Sequence, residues 1–405
     1  MMFSQAILFL LPASLVLALE KVTVFGFPVY FLEALFLVFL GLSVWKVTKE
    51  SLRVRWQGFD RWIALGGILF VAGAIMSILY QSQSVSLTSL GQLKSWFLFP
   101  LVFALTLYSL QRGEYKERML IYGSWLVGVI IVAFTALYGY SHHILTYDGR
   151  LAFPYNSPNF LALLVAPGIL LAIFFLFQAN TWCKRAFFLS TATLLLIPLY
   201  LTHSYNTWLA LILAVLASLL LLWIQKTESE SRQKLGIFVA VVVLALGILL
   251  FLEHDSSKWQ DLFLEDSRSS LDSRVMIWQS SWAILQDHWF LGIGVGNFQR
   301  EYLAYQPHFT PYLEWAVPQP HNLLLAVWLQ TGSLGLLGFI LILGRLVVRL
   351  FESTQRKNQN EGGLLLALWF VFLCYGLIDT PYFRNDLAFL FWLQVLLTLW
   401  YIEED

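Results

Sequence analysis

Twelve runs of predominantly apolar residues follow one another along this 405-residue chain, near positions 4–19, 27–45, 62–80, 93–110, 119–139, 159–178, 186–202, 207–224, 235–252, 332–349, 363–380 and 385–401. Each is close to the about 20 residues that a helix needs to cross the hydrocarbon core of a bilayer. Backbone in lipid must satisfy its own polar groups, and helices do so within each segment. The pattern therefore predicts an all-α polytopic membrane protein with about 12 transmembrane helices. Charged residues make up 12% of the chain, about half the share in a soluble domain, which excludes a soluble enzyme and a disordered regulator. Two cysteines, Cys183 and Cys374, are too few for a disulfide framework. The balance of 25 basic and 25 acidic residues gives no reason to expect a nucleic-acid partner.

Lysine and arginine in short loops orient such a chain. With the N-terminus in the cytoplasm, the inner loops carry basic clusters at 46–61, 112–118, 184–185, 226–234 and 345–357, together 17 of the 25 basic residues. Every inner loop is basic in turn, so twelve spans with both termini inside are self-consistent. The first run has no basic start and no small-x-small cleavage site before Glu20, and it reads as a retained span. All seven histidines then fall on the outer face, as do nine acidic residues between Glu253 and Glu314. Ionisable residues inside spans are costly and point to function. Three lie toward the outer face: Glu33 in span two, Lys94 at the start of span four and Asp379 at the end of span eleven. Lys94 can snorkel to the interface or pair with Glu33.

The chain divides into spans one to nine (1–252), a long outer loop (253–322), and a half-helix with spans ten to twelve (323–405). In the loop, Asp272 is the expected N-cap of an amphipathic helix whose apolar stripe is Val275, Trp278, Trp282 and Leu285. Gly292, Gly294 and Gly296 end that helix. They neither follow a strand nor open a βαβ unit, so a nucleotide-binding reading is set aside. The loop is expected to fold onto the outer membrane surface as a lid or half-buried helix.

The most specific feature closes the loop: Pro318-Gln-Pro320-His321-Asn322, nine residues, then Gly332-Ser-Leu-Gly335. The stretch between is about half the length of a span and reads as a re-entrant half-helix that breaks at the glycines. Its N-terminus would carry His321 beside free backbone N–H groups. Irregular backbone at such depth must line a cavity or be buried in protein. A histidine there suits proton transfer near neutral pH.

His-Asn, nine residues and Gly-x-x-Gly resemble the signature of the bacterial O-antigen ligase and polymerase superfamily. Ser273-Arg274, Trp278 and the stretch from Asp287 to Phe298 resemble the same family's loop, in the same order before the histidine. Arg150 with Phe153-Pro154-Tyr-Asn156-Ser-Pro158-Asn159 resembles an earlier outer loop. The resemblance implies a GT-C-like membrane fold in the bacterial inner membrane. It implies transfer of a glycan from an undecaprenyl-diphosphate carrier to an acceptor hydroxyl, such as lipid A core, at the periplasmic face, without metal or other cofactor. It makes His321 the base or positioning group for the acceptor and Arg274 a holder of the diphosphate. A fixed guanidinium stabilises the charge that develops on such a leaving group.

One departure stands out. Family members often carry Ser-Arg-Gly at the outer end of a middle span, with the arginine as a second phosphate ligand. Here the stretch is Leu201-Thr-His203-Ser-Tyr205-Asn-Thr-Trp208, and Tyr205 stands in the arginine's place. Arg150, Lys94 and His203 are the substitutes nearest in kind, and Asn322 joins them as a substrate-binding candidate. A repeat-unit polymerase or a protein O-oligosaccharyltransferase keeps the fold and changes the acceptor. A solute transporter is the alternative of another class, but the polar residues gather on one face and no internal repeat is visible in the spans.

Overall fold

A computed structural model gives the fold and describes residues 21–24, 27–50, 59–80, 86–111, 113–225, 251, 270–309, 316–354 and 359–404. The expected span at 4–19, and that at 235–252 except Phe251, lie outside the described residues. The helices are α1 (Phe31–Glu50), α2 (Arg61–Tyr80), α3 (Leu87–Leu110), α4 (Tyr115–Ser141), α5 (Pro158–Gln178), α6 (Trp182–Leu201), α7 (Tyr205–Gln225), α8 (Ser270–His288), α9 (Phe298–Tyr305), α10 (Leu323–Thr354), α11 (Gln359–Gly376) and α12 (Asn385–Glu403). Among the described residues, seven of these, α2 to α6, α10 and α12, are long and apolar enough to cross a membrane. Shorter apolar stretches lie in α1, α7 and α11.

The run at 27–45 does not begin as a helix. Its first residues form β2 (Phe27–Tyr30), paired antiparallel with β1 (Lys21–Val24), Lys21 opposite Tyr30. Val22, Thr23, Val24 and Val29 suit a strand, and Pro28 biases the residue before it away from helix. Helix α1 therefore starts at Phe31.

Local chemistry sets the other helix starts. Ser86 caps α3 by accepting from the Ser89 amide at 3.0 Å, and Pro158 opens α5, where a missing N–H costs nothing. At the start of α4 the Glu117 carboxylate accepts from the Gly113 and Glu114 amides at 2.8 and 3.2 Å.

Helix α12 is the centre of the bundle. It is buried from Asn385 to Ile402, as an all-round apolar helix must be. Just before it, the ring of Tyr382 packs against Phe70, Phe97, Phe339 and Phe391. Helices α2 and α10 approach through small residues, as membrane helices do. A Cβ on Gly338 would lie 2.5 Å from the Gly66 carbonyl oxygen, and one on Gly73 would collide with Gly335.

Charged contacts mark the two ends of the bundle. At one end Asp60, just before α2, meets Arg345 and Arg349 of α10 at 2.8 and 3.0 Å. At the same end Arg118 of α4 meets Glu361 of α11 at 2.6 Å, and also Glu404 after α12. Arg118, counted from sequence among loop cations, is fully buried. At the other end the starts of α5, α7 and α10 meet the ends of α6 and α11.

Candidate functional site

The site is built where the long loop returns to the bundle. Helix α10 is interrupted at Gly332, which takes φ 67° and ψ −176°. In an unbroken helix the Ser333 amide would donate to the Leu329 carbonyl. Instead it donates to the Phe290 carbonyl at 2.8 Å, and the Leu329 carbonyl accepts from the Ile293 amide at 2.6 Å. Both backbone groups freed by the break are thus satisfied by the glycine-rich segment after α8. That segment comes close enough because Gly292, at φ 71°, has no Cβ to strike the Leu329 carbonyl. The Gly294 amide then donates to Ser77 Oγ of α2 at 2.8 Å. The glycines end α8, as expected, and they also dock it onto the broken helix.

Helix α8 turns a different face inward from the one its largest apolar residues suggest. Met276, Ile277, Ser280, Ser281, Ile284 and Leu285 are buried, whereas Val275 and Trp282 are exposed. Asp272 lies in the first turn rather than at the cap, since the helix begins at Ser270. Residues 252–269 and 310–315 of the outer loop lie outside the described residues.

His321 immediately precedes the first segment of α10. Its backbone is left-handed, at φ 49°, which is costly for a residue with a Cβ. Its neighbours hold it there. Trp278 of α8 donates from Nε1 to the His321 carbonyl at 3.1 Å. Asn322 caps the segment, its Oδ1 accepting from the Leu325 amide at 3.0 Å and its Nδ2 donating to the Leu377 carbonyl at 3.0 Å.

The His321 ring meets Asp379, on the loop between α11 and α12, with Nδ1 to Oδ1 at 2.9 Å. A carboxylate only accepts, so Nδ1 donates, and in the neutral ring Nε2 keeps its lone pair. The Asp379 side chain is 4% exposed and that of His321 29%. Asp379 is held on all sides: Oδ2 accepts from Asn159 Nδ2 at 3.2 Å and from the Tyr375 hydroxyl at 3.1 Å, and Oδ1 from the Thr380 amide at 2.8 Å. Ser204 donates to Asn159 Oδ1 at 2.9 Å, which fixes the amide's orientation. Burial alone would raise the Asp379 carboxyl, but His321, Arg274 and the Thr380 amide outweigh it and hold the group at about 2.

Arg274 precedes Trp278 by four residues, so the two share a face of α8. That places Arg274 within electrostatic reach of Asp379 and Tyr375. His321, Arg274 and Asn322 therefore come together, although the Asn322 amide is engaged with backbone. His203, left-handed at φ 46°, and Tyr205 flank Ser204 on the loop that supports Asn159. The Tyr205 ring stands edge-on to Trp208 at 5.5 Å. Arg150 is tied to Asp148 at 2.8 Å in the loop after α4. Lys94 pairs with Glu33 at 2.7 Å, the partner considered from sequence.

Sequence reasoning gave no role to Asn159, Ser204 or Tyr375, and it marked Asp379 only as an ionisable residue near the outer face. Asn159 lay within the quoted stretch after Arg150. Tyr375 carries no signal, because its part in the site comes from position alone. No group of three or more His, Cys, Asp or Glu side chains with metal-ligating geometry is present among the described residues.

Residues 190–340, which include the break at Gly332, His321 and Arg274, match the O-antigen ligase family model. In that stretch the chain is similar to the O-antigen ligase superfamily. It is similar to the teichuronic acid biosynthesis protein TuaE of Bacillus subtilis, 24% identical over 369 residues, which cover 84% of this chain and 72% of that protein. It is also similar to the O-antigen ligase of Salmonella typhimurium, 29% identical over 215 residues, 49% of this chain and 50% of that one. The chain's long apolar helices are those of a polytopic membrane protein, as the sequence predicts.

Proposed function

We propose that this protein is a membrane glycosyltransferase of the ligase type, which moves a glycan from an undecaprenyl-diphosphate carrier to an acceptor hydroxyl. The observation that carries this reading is the His321–Asp379 pair at the head of a broken helix, with Arg274 in reach. Asp379 fixes the imidazole with Nε2 outward, and Nε2 takes the proton of the acceptor hydroxyl. The acceptor oxygen bonds to the anomeric carbon of the glycan as the bond from that carbon to the diphosphate oxygen breaks. Undecaprenyl diphosphate leaves with the bonding pair, and Arg274 stabilises its growing charge. The donor is already activated, so the step needs no nucleotide or redox partner.

The basic loops orient the chain with both termini in the cytoplasm of a bacterial cell and His321 toward the periplasm. A lipid A core sugar is the first acceptor reading. A repeat-unit polymerase is the second, favoured by the match along 84% of the chain to a protein of teichuronic acid biosynthesis. Purified protein, a defined undecaprenyl-diphosphate glycan and a panel of acceptors separate the two. His321→Ala and Arg274→Ala are each expected to abolish transfer while the protein stays folded and inserted, and wild-type rates in either variant would overturn the mechanism.

A further inference from the structure

A second polar cluster adjoins the site at the start of α12. Arg384 donates from Nε and Nη2 to the two carboxylate oxygens of Asp386, each at 2.6 Å. Its guanidinium also lies over the rings of Tyr155 and Phe160, at 4.6 and 4.3 Å. Asp386 is 1% exposed and Arg384 17%, so one edge and the face of this cation are fixed while Nη1 has no partner among the described residues. Two buried polar atoms of this region also lack a hydrogen-bond partner among the described residues, the Tyr155 hydroxyl and Thr380 Oγ1, whereas the Asn385 side chain is engaged with Tyr30.

Buried donors left unpaired are costly and rare. Burial, reinforced by Asp386, pushes the Tyr155 phenol up and keeps it a proton donor. An arginine with a purely structural role would spend its open edge on protein. Here that edge is left open, and the ring beneath the guanidinium carries an unpaired hydroxyl of the kind that donates to an anion. Phe160 follows Asn159 and Thr380 follows Asp379, so the cluster is continuous with the His321 site. The Tyr375 phenol lies within electrostatic reach of Arg384 and Arg274 alike. The cations considered from sequence are occupied differently, Lys94 by Glu33 and Arg150 by Asp148.

We infer that Arg384 is a phosphate-binding residue of the donor site, its open edge acting with the Tyr155 hydroxyl on the diphosphate that Arg274 approaches from α8. This rests on the donor reading given above. A planar guanidinium suits phosphate oxygens, and one already locked in place needs no rearrangement when charge develops.

Binding to the full-length protein in nanodiscs tests the inference, with undecaprenyl diphosphate, undecaprenol and inorganic diphosphate as probes. Wild-type protein is expected to bind undecaprenyl diphosphate well above undecaprenol, with inorganic diphosphate competing. Arg384→Gln is expected to weaken undecaprenyl diphosphate about tenfold, to leave undecaprenol unchanged and to abolish the competition. Tyr155→Phe keeps the ring under the guanidinium and removes only the hydroxyl; it is expected to weaken the same probe about threefold, and it decides the matter if Arg384→Gln melts early. Wild-type binding that ignores the diphosphate overturns the donor reading and this inference together. Selective wild-type binding that both variants retain overturns the role of Arg384 alone.

Discussion

At His321, strain and hydrogen bonding work on one residue. The left-handed backbone at φ 49° costs about 1–3 kcal/mol, and it aims the ring at a carboxylate that three other donors already fix. Asp379→Asn keeps the shape and removes the charge. It is expected to lower kcat by about 100-fold or more while changing the KM for the donor little, and near-normal turnover would reduce Asp379 to a fold residue. The carboxyl at about 2 lies below the unfolded value of about 3.9, so its contribution to stability is present above that value and lost as pH falls toward 2. The stability gap between wild type and Asp379→Asn should therefore close as pH falls from about 4 to 2. Thermal melts from about pH 5 to 2 check this, and a gap that persists undiminished at pH 2 would contradict it.

Among the elements, the broken helix was legible and the face of α8 was not. Gly-x-x-Gly after a half-length apolar run marks a break, and its two glycines do different work: Gly332 supplies φ 67° and Gly335 lets Gly73 of α2 approach. Gly332→Ala would place a Cβ 2.5 Å from the Phe290 carbonyl oxygen on left-handed backbone. A loss of about 2 kcal/mol or more is expected, and an unchanged melting temperature would mean that the break needs no glycine. Asn322→Ala removes a cap at a cost of about 1 kcal/mol, and Asn322→Asp should recover most of it in the same melts. In α8, spacing alone selects Val275, Trp278, Trp282 and Leu285. The neighbouring elements instead bury Ser280 and Ser281, whose small side chains permit close packing, and leave Trp282 at 52% exposure. Periodicity finds the helix, but what packs against it decides which stripe faces in.

Across the whole molecule, the groups that matter most are remote in sequence. His321 and Asp379 are 58 residues apart, Asn159 and Asp379 220, and Arg118 and Glu361 243, so no local pattern could join them. The last pair ties α4 to α11 at the end of the bundle opposite His321, while the far end of α11 leads directly into the Asp379 loop. Arg118 and Glu361 are both fully buried, whereas Glu404 is 41% exposed. Removing one partner of a buried pair strands a charge, at about 3–5 kcal/mol, but replacing both with apolar residues of similar size is often neutral. Arg118→Ala should therefore lower the melting temperature sharply, and Glu404→Gln should shift it little. The double change Arg118→Met with Glu361→Leu should restore most of the stability and leave transfer intact, because α11 would again be anchored and the His321–Asp379 geometry is set at its other end. A double variant as unstable as Arg118→Ala would mean that the charges do more than anchor. A stable but inactive one would mean that the two ends of α11 are coupled through the bundle.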